Sequence, residues 1–129
     1  MCRLFVGADK SLWDKISRSF RVDGVDLTLD IERFYWDVLD RIARRDGMST
    51  GELINTLYFE AIEADHTEGS FTAFLRVCCG RFLDLLQRGE IPDDDTPIRE
   101  LDADAILERE MNKTPNLRIV HTASGADQD

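Results

Sequence analysis

The sequence predicts a mainly α-helical fold with a short β-ribbon, and three observations point there. Val25-Asp26-Leu27-Thr28-Leu29-Asp30-Ile31 alternates apolar and polar residues with period two, the signature of a half-buried strand. From Glu32 the apolar period becomes helical, with Tyr35, Val38, Leu39 and Ile42 on one side. Farther on, Phe71, Phe74, Leu75, Cys78, Phe82, Leu85 and Leu86 trace a single helical stripe. At 129 residues, 43% apolar and 33% charged, the chain has the size and composition of one domain with a modest core.

Taken in order, Cys2 to Val6 reads as a short strand or arm, and Leu12, Trp13 and Ile16 as a loop or short turn. Ser17–Val22 alternates in its second half, and Asp23-Gly24 is a turn dipeptide that folds this run back on 25–31 as a hairpin. The apolar side of the second run is Val25, Leu27, Leu29 and Ile31; Asp26, Thr28 and Asp30 face the other way. The first helix has acidic Glu32 near its start and Arg41, Arg44 and Arg45 near its end, matching the helix dipole, and Gly47 ends it. Ser49 stands three residues before Glu52, a capping-box spacing, so a second helix runs through Ile54, Leu57, Tyr58 and Ala61 and stops near Asp65-His66. Thr67-Glu68-Gly69 is a loop, Ser70 an N-cap, and an additional C-terminal helix carries the aromatic stripe to Gly89, with Cys78 in the core and Cys79 toward solvent or a partner.

Past Gly89 the run Pro92-Asp93-Asp94-Asp95-Thr96-Pro97 breaks the pattern. Folding is expected to end there. Residues 1–89 form the domain and residues 90–129 an acidic, largely disordered tail, in which 101–110 is the candidate for a short helix.

The net charge of −10 argues against nucleic acid at first sight, but it is unevenly spread. Residues 1–25 carry five basic and three acidic side chains, whereas residues 90–129 carry four and eleven. No apolar run is long enough to span a membrane, and the odd set Cys2, Cys78 and Cys79 suits reduced thiols, so a cytoplasmic protein is expected.

Chemistry is poorly represented. Cys2 is the one candidate nucleophile, and removal of Met1 would expose it, but N-terminal-nucleophile folds rest on large stacked sheets that this pattern does not supply. His66 and His121 stand apart and Cys78-Cys79 is contiguous, so no pair has the spacing of a zinc site. Phosphate loops and catalytic triads are equally missing, and neither enzyme activity nor a cofactor is expected.

A strand followed by two helices cannot bury its apolar face alone. The strand is therefore expected to pair with its symmetry mate in an intertwined homodimer whose four helices cover one side of the ribbon.

The segments Arg18-Ser19-Phe20-Arg21-Val22-Asp23-Gly24, Leu27-Thr28-Leu29-Asp30-Ile31-Glu32, Phe34-Tyr35-Trp36 and Ala43-Arg44-Arg45-Asp46-Gly47-Met48-Ser49 together resemble the ribbon-helix-helix domain proteins of proteobacteria. The stretch Phe71 to Arg81 is similar to the extended version, so the resemblance covers residues 1–88. It implies a homodimeric DNA-binding regulator whose two-stranded antiparallel ribbon enters the major groove while the second helix start holds a phosphate. The implied groove-facing residues are Asp26, Thr28 and Asp30, and the implied phosphate anchor is the amide cluster of Ser49, Thr50 and Gly51. Relatives commonly carry arginine or another donor where Asp30 stands, so Arg18 and Arg21 on the preceding strand are the cations that would have to offset two carboxylates facing a polyanion. A second reading follows from the same departure: a ribbon-helix-helix scaffold that has lost DNA readout and binds protein partners through its acidic ribbon face, third helix or tail. A tail folding back over the basic edge as an autoinhibitor would reconcile the two.

Overall fold

The computed structural model describes residues 2–66 and 69–113. Its elements run α1 (Cys2–Val6), β1 (Lys15–Val22), β2 (Val25–Glu32), α2 (Arg33–Arg45), α3 (Thr50–Glu63), α4 (Phe71–Gln87) and α5 (Ala103–Lys113), with 3-10 turns at Lys10–Trp13 and Ile98–Glu100. The described residues fall into two compact units, divided between Arg99 and Glu100.

Hairpin geometry organises the first unit. Asp23 and Gly24 both have positive φ, 53° and 77°, which a two-residue hairpin turn needs if its twist is to match the strands it joins. That turn fixes the antiparallel register from Val22↔Val25 out to Lys15↔Glu32. β1 thus starts at Lys15, and Ile16, expected in a loop, lies in the ladder opposite Ile31. Among the described residues β2 has β1 of the same chain as its ladder partner, so one copy already holds a two-stranded antiparallel ribbon.

β2 passes without a linker into α2. The Trp36 indole donates to the Ile16 carbonyl at 2.8 Å and the Arg33 amide to the Asp14 carbonyl at 2.8 Å, tying the helix start to the base of β1. Gly47, at φ 68°, ends the helix with Met48 N donating to Ala43 O at 3.0 Å, which satisfies a carbonyl the last turn leaves open. α3 begins with the expected capping box: Ser49 Oγ accepts from Glu52 N at 3.1 Å, and Glu52 carboxylate accepts from Ser49 N at 2.8 Å. Ser70 caps α4 by accepting from Thr72 N and Ala73 N.

The core lies under the hairpin and between α2, α3 and α4. Leu29 and Ile31 of the hairpin, Trp36 and Leu39 of α2, Ile54 of α3 and Leu75 and Phe82 of α4 are all buried. The buried cysteine is Cys79, at 0% exposure, with its Sγ 3.6 Å from the Tyr35 carbonyl. Cys78, expected there, is half-buried. The reason is helical phase: α4 buries Leu75, Cys79 and Phe82, while Phe71 and Phe74 turn to an aromatic cluster with Tyr58, Phe59 and His66.

Two further expectations change. Cys2 to Val6 is a helical turn, closed by Gly7 N donating to Arg3 O at 2.9 Å; with no ladder neighbour among the described residues, its amides bond locally. The first unit also continues past Gly89 to Arg99. Ile91 is buried, and Arg45, only 7% exposed, donates to the carbonyls of Pro92 and Thr96, both at 2.6 Å. Ile98 N and the Arg99 guanidinium donate to Asp46.

In the second unit α5 is capped by Asp102, which accepts from Ala105 N at 3.1 Å. This helix begins two residues later and ends three residues later than the expected 101–110. The expected disorder of the final residues lies outside the described residues from 114 on.

Candidate nucleic-acid interface

Alternation in a paired strand gives the hairpin two faces. One is built from Ile16, Phe20 and Val22 of β1 with Leu27, Leu29 and Ile31 of β2, and covers the helices. The other carries the cross-strand pairs Lys15–Glu32, Ser17–Asp30, Ser19–Thr28 and Arg21–Asp26. Asp26, Thr28, Asp30 and Arg21 are therefore brought together on one solvent-facing surface.

Arg18, expected beside them, lies on the opposite face. Strand alternation requires it, since Arg18 is opposite Leu29 and out of phase with Arg21. Its guanidinium is 4.7 Å from the Trp36 ring centroid and 5.5 Å from that of Phe20, and it pairs with Asp40 at 3.0 Å. In its place the outer face gains Lys15, Ser17 and Ser19, which the motif reading passes over. A signal for them is available, because a two-residue turn at Asp23-Gly24 dictates every pairing along the ladder.

The carboxylates of this face have neighbours that temper their charge. Arg21 donates to Asp26 at 3.0 Å and Ser17 Oγ to Asp30 at 3.4 Å, while the hydroxyls of Ser19 and Thr28 are 2.8 Å apart. With 70% and 77% of their side chains exposed, Arg21 and Asp26 contribute little stability to the fold, and the other guanidinium nitrogens of Arg21 remain open to solvent. Glu32 bonds Arg76 of α4 at 3.0 Å; bonding to its own backbone amide, and then this guanidinium, hold its carboxyl below the usual range.

Beside β1 stands the start of α3. Asn55 Nδ2 donates to the Arg21 carbonyl at 3.1 Å and to that of Gly51 at 3.0 Å, and a Cβ on Gly51 would be 3.5 Å from the Phe20 ring. Of the three residues expected to anchor a phosphate, Ser49 has its amide occupied by Glu52. The amides of Thr50 and Gly51 find no acceptor among the described residues, as the first turn of a helix dictates. An anion approaching them meets the positive end of the dipole and, on one side, the Glu52 carboxylate.

A second charged surface lies at the end of α2. Arg41, Arg44 and Arg45 face Asp93, Asp94 and Asp95 across an open pocket of about 340 Å³. The acidic run is seated against arginines of its own unit. Bonding from the Thr96 amide and hydroxyl, and then the Arg45 charge, hold the Asp94 carboxyl below its ordinary value.

Among the described residues no three His, Cys, Asp or Glu side chains converge on a metal-sized site, and no helix is long and apolar enough to cross a membrane.

Comparison with known proteins agrees with this architecture. Residues 15–83 match the ribbon-helix-helix domain family. Among solved structures, an uncharacterized protein from Bordetella pertussis Tohama I is 44% identical, with a TM-score of 0.78 over 83% of this chain and 86% of that one. No curated protein matches the chain.

Proposed function

The chain belongs to the ribbon-helix-helix domain family, and from that premise we propose that it is a transcriptional regulator binding double-stranded DNA as a homodimer. The observation that carries the reading is the juxtaposition of a polar two-stranded face with a helix start whose Thr50 and Gly51 amides are open. A two-stranded ribbon fits the major groove, about 12 Å wide, and the helix start beside it meets a flanking phosphate. Arg21, Asp26, Thr28 and Asp30 form the reading face, with Ser17 and Ser19 beside them. Arg21 takes a guanine edge while Asp26 steadies its guanidinium, and Asp30 accepts from a cytosine amino group. The role is non-catalytic, and the cytoplasm suits the unbridged thiols of Cys78 and Cys79.

Homodimerisation is supported by apolar surface that one copy leaves open. A groove of about 530 Å³ is lined by half-buried Met48, Leu57 and Leu85 over the buried Ile42, Leu53 and Phe82. A second copy covering such helical surface leaves the hairpin whole. Light scattering at micromolar concentration is expected to give twice the chain mass.

The experiment that tests DNA binding is retention of fragmented genomic DNA by the purified protein at low and physiological salt, in parallel with Asp30→Arg. Retention of a few fragments that survives physiological salt supports a regulator. The competing reading, a protein-interaction module, draws on Asp26 and Asp30 lying on the outer face of a chain with net charge −10. It takes over if the wild type retains nothing while Asp30→Arg retains DNA of any sequence.

A further inference from the structure

A single oxygen of Asp40, on α2, serves two other elements. Its Oδ1 accepts from Arg18 Nη1 of β1 at 3.0 Å and from the hydroxyl of Thr50, the first residue of α3, at 2.5 Å. Arg18 is fixed at its other side by the Trp36 and Phe20 rings, and Phe20 lies against Gly51. Hairpin, α2 and the start of α3 thus converge on one carboxylate. With side chains 34% and 33% exposed, the Arg18–Asp40 pair adds little to stability. Its larger effect is geometric.

We infer that Asp40 is a positioning residue of the nucleic-acid interface, setting the spacing between the outer face of the hairpin and the Thr50 and Gly51 amides so that base edges and a flanking phosphate are met in one docking. This rests on the DNA-binding reading above. The two contact sets sit on different elements, and simultaneous engagement requires their separation to be held to about 0.5 Å. Arg18 touches no base in this arrangement; it connects the underside of the reading strand to Asp40, and Thr50 connects the phosphate anchor to the same atom. Sequence-specific binding needs both contact sets in register, whereas non-specific binding needs only phosphate contacts.

The test uses the full chain and a random-sequence duplex pool from which the wild type enriches its preferred sites. The readout is the ratio of affinity for an enriched duplex to affinity for the unselected pool. Asp40→Ala is expected to lower that ratio about tenfold, while pool affinity holds or rises because a negative charge has gone. Asp40→Asn keeps an Oδ acceptor for both donors and is expected to recover most of the ratio. Thr50→Val removes one donor at nearly constant shape, and decides the matter if Asp40→Ala does not fold. An unchanged ratio in the folded variants, or an equal loss against both duplexes, overturns the inference and leaves the DNA reading standing. A wild type that enriches nothing overturns the DNA reading and this inference with it.

Discussion

The hydroxyl oxygens of Ser19 and Thr28 face each other across the hairpin at 2.8 Å, at the middle of its polar surface. Each hydroxyl can donate in one direction while accepting from another, so the pair offers the groove a donor and an acceptor without any charge. Around it the charged pairs Arg21–Asp26 and Lys15–Glu32 stand toward the two ends of the ladder.

The pair contributes little to folding. Thr28→Val is expected to change the unfolding free energy by less than about 1 kcal/mol, because the cross-strand hydroxyl contact is exposed and valine favours a strand. Affinity for an enriched duplex should nonetheless fall about tenfold or more, the loss expected for one base contact. Urea unfolding and a binding titration on the same preparation check both numbers. Equal affinity would remove Thr28 from the reading face.

Arg18 behaves in the opposite way. Its guanidinium rests over the buried Trp36 ring and pairs with Asp40, so Arg18→Ala is expected to destabilise the fold by about 1–2 kcal/mol through lost stacking and packing as well as lost charge. Chemical unfolding followed by tryptophan fluorescence reads the loss directly, and Trp36 emission should shift in the folded variant. Unaltered stability and emission would contradict the placement of Arg18 on the inner face.

Residues 90–99 are part of the first unit, and two truncations test this. Ending the chain after Gly89 removes the Pro92 and Thr96 carbonyls from a guanidinium that is 7% exposed, at an expected loss of about 2–4 kcal/mol. Ending it after Arg99 keeps those acceptors and is expected to stay within about 1 kcal/mol of the full chain. Thermal unfolding of the two pieces checks this, and equal stability of both would return the boundary to Gly89.

Both described thiols are held in the neutral form by burial, which pushes Cys78 from the ordinary 9.0 up to about 11 and Cys79 up to about 12. A thiol raised in the folded state stabilises the fold fully below the unfolded value; that contribution is lost as pH rises from about 9 through the folded values. Native protein at pH 8 should therefore react slowly with an aromatic disulfide reagent at these two positions, Cys79 more slowly than Cys78, and both quickly in urea. Peptide mapping of the labelled sites checks the order, and rapid labelling of Cys79 in the folded chain would contradict its burial.

Local chemistry makes most of the fold readable. Asp23-Gly24 specifies the hairpin, the Ser49 and Glu52 spacing specifies the capping box, and the shift of apolar period at Glu32 locates the passage from strand to helix. What escapes depends on partners far along the chain. Pro92-Asp93-Asp94-Asp95 reads as a solvated run because nothing nearby holds it, and its anchor, Arg45, lies on another helix. The burial of Cys79 in preference to its neighbour depends on which side of α4 meets α2, and either phase of the stripe is apolar. Arg18 escapes for a different reason: its charge suggests an outward role, whereas strand parity and an aromatic neighbour 18 positions later take it inward.

Binding through the hairpin requires its outer face to meet the groove. The most direct measurement is a nuclear magnetic resonance titration of isotope-labelled protein with an enriched duplex, following backbone amides and side-chain methyls together. The predicted result is a set of shifts concentrated at Ser17, Ser19, Arg21, Asp26, Thr28 and Asp30 and at the Thr50 and Gly51 amides, with those of α4 unmoved. Shifts centred on α4 or on the α2 arginines, with the outer face of the hairpin silent, would contradict it.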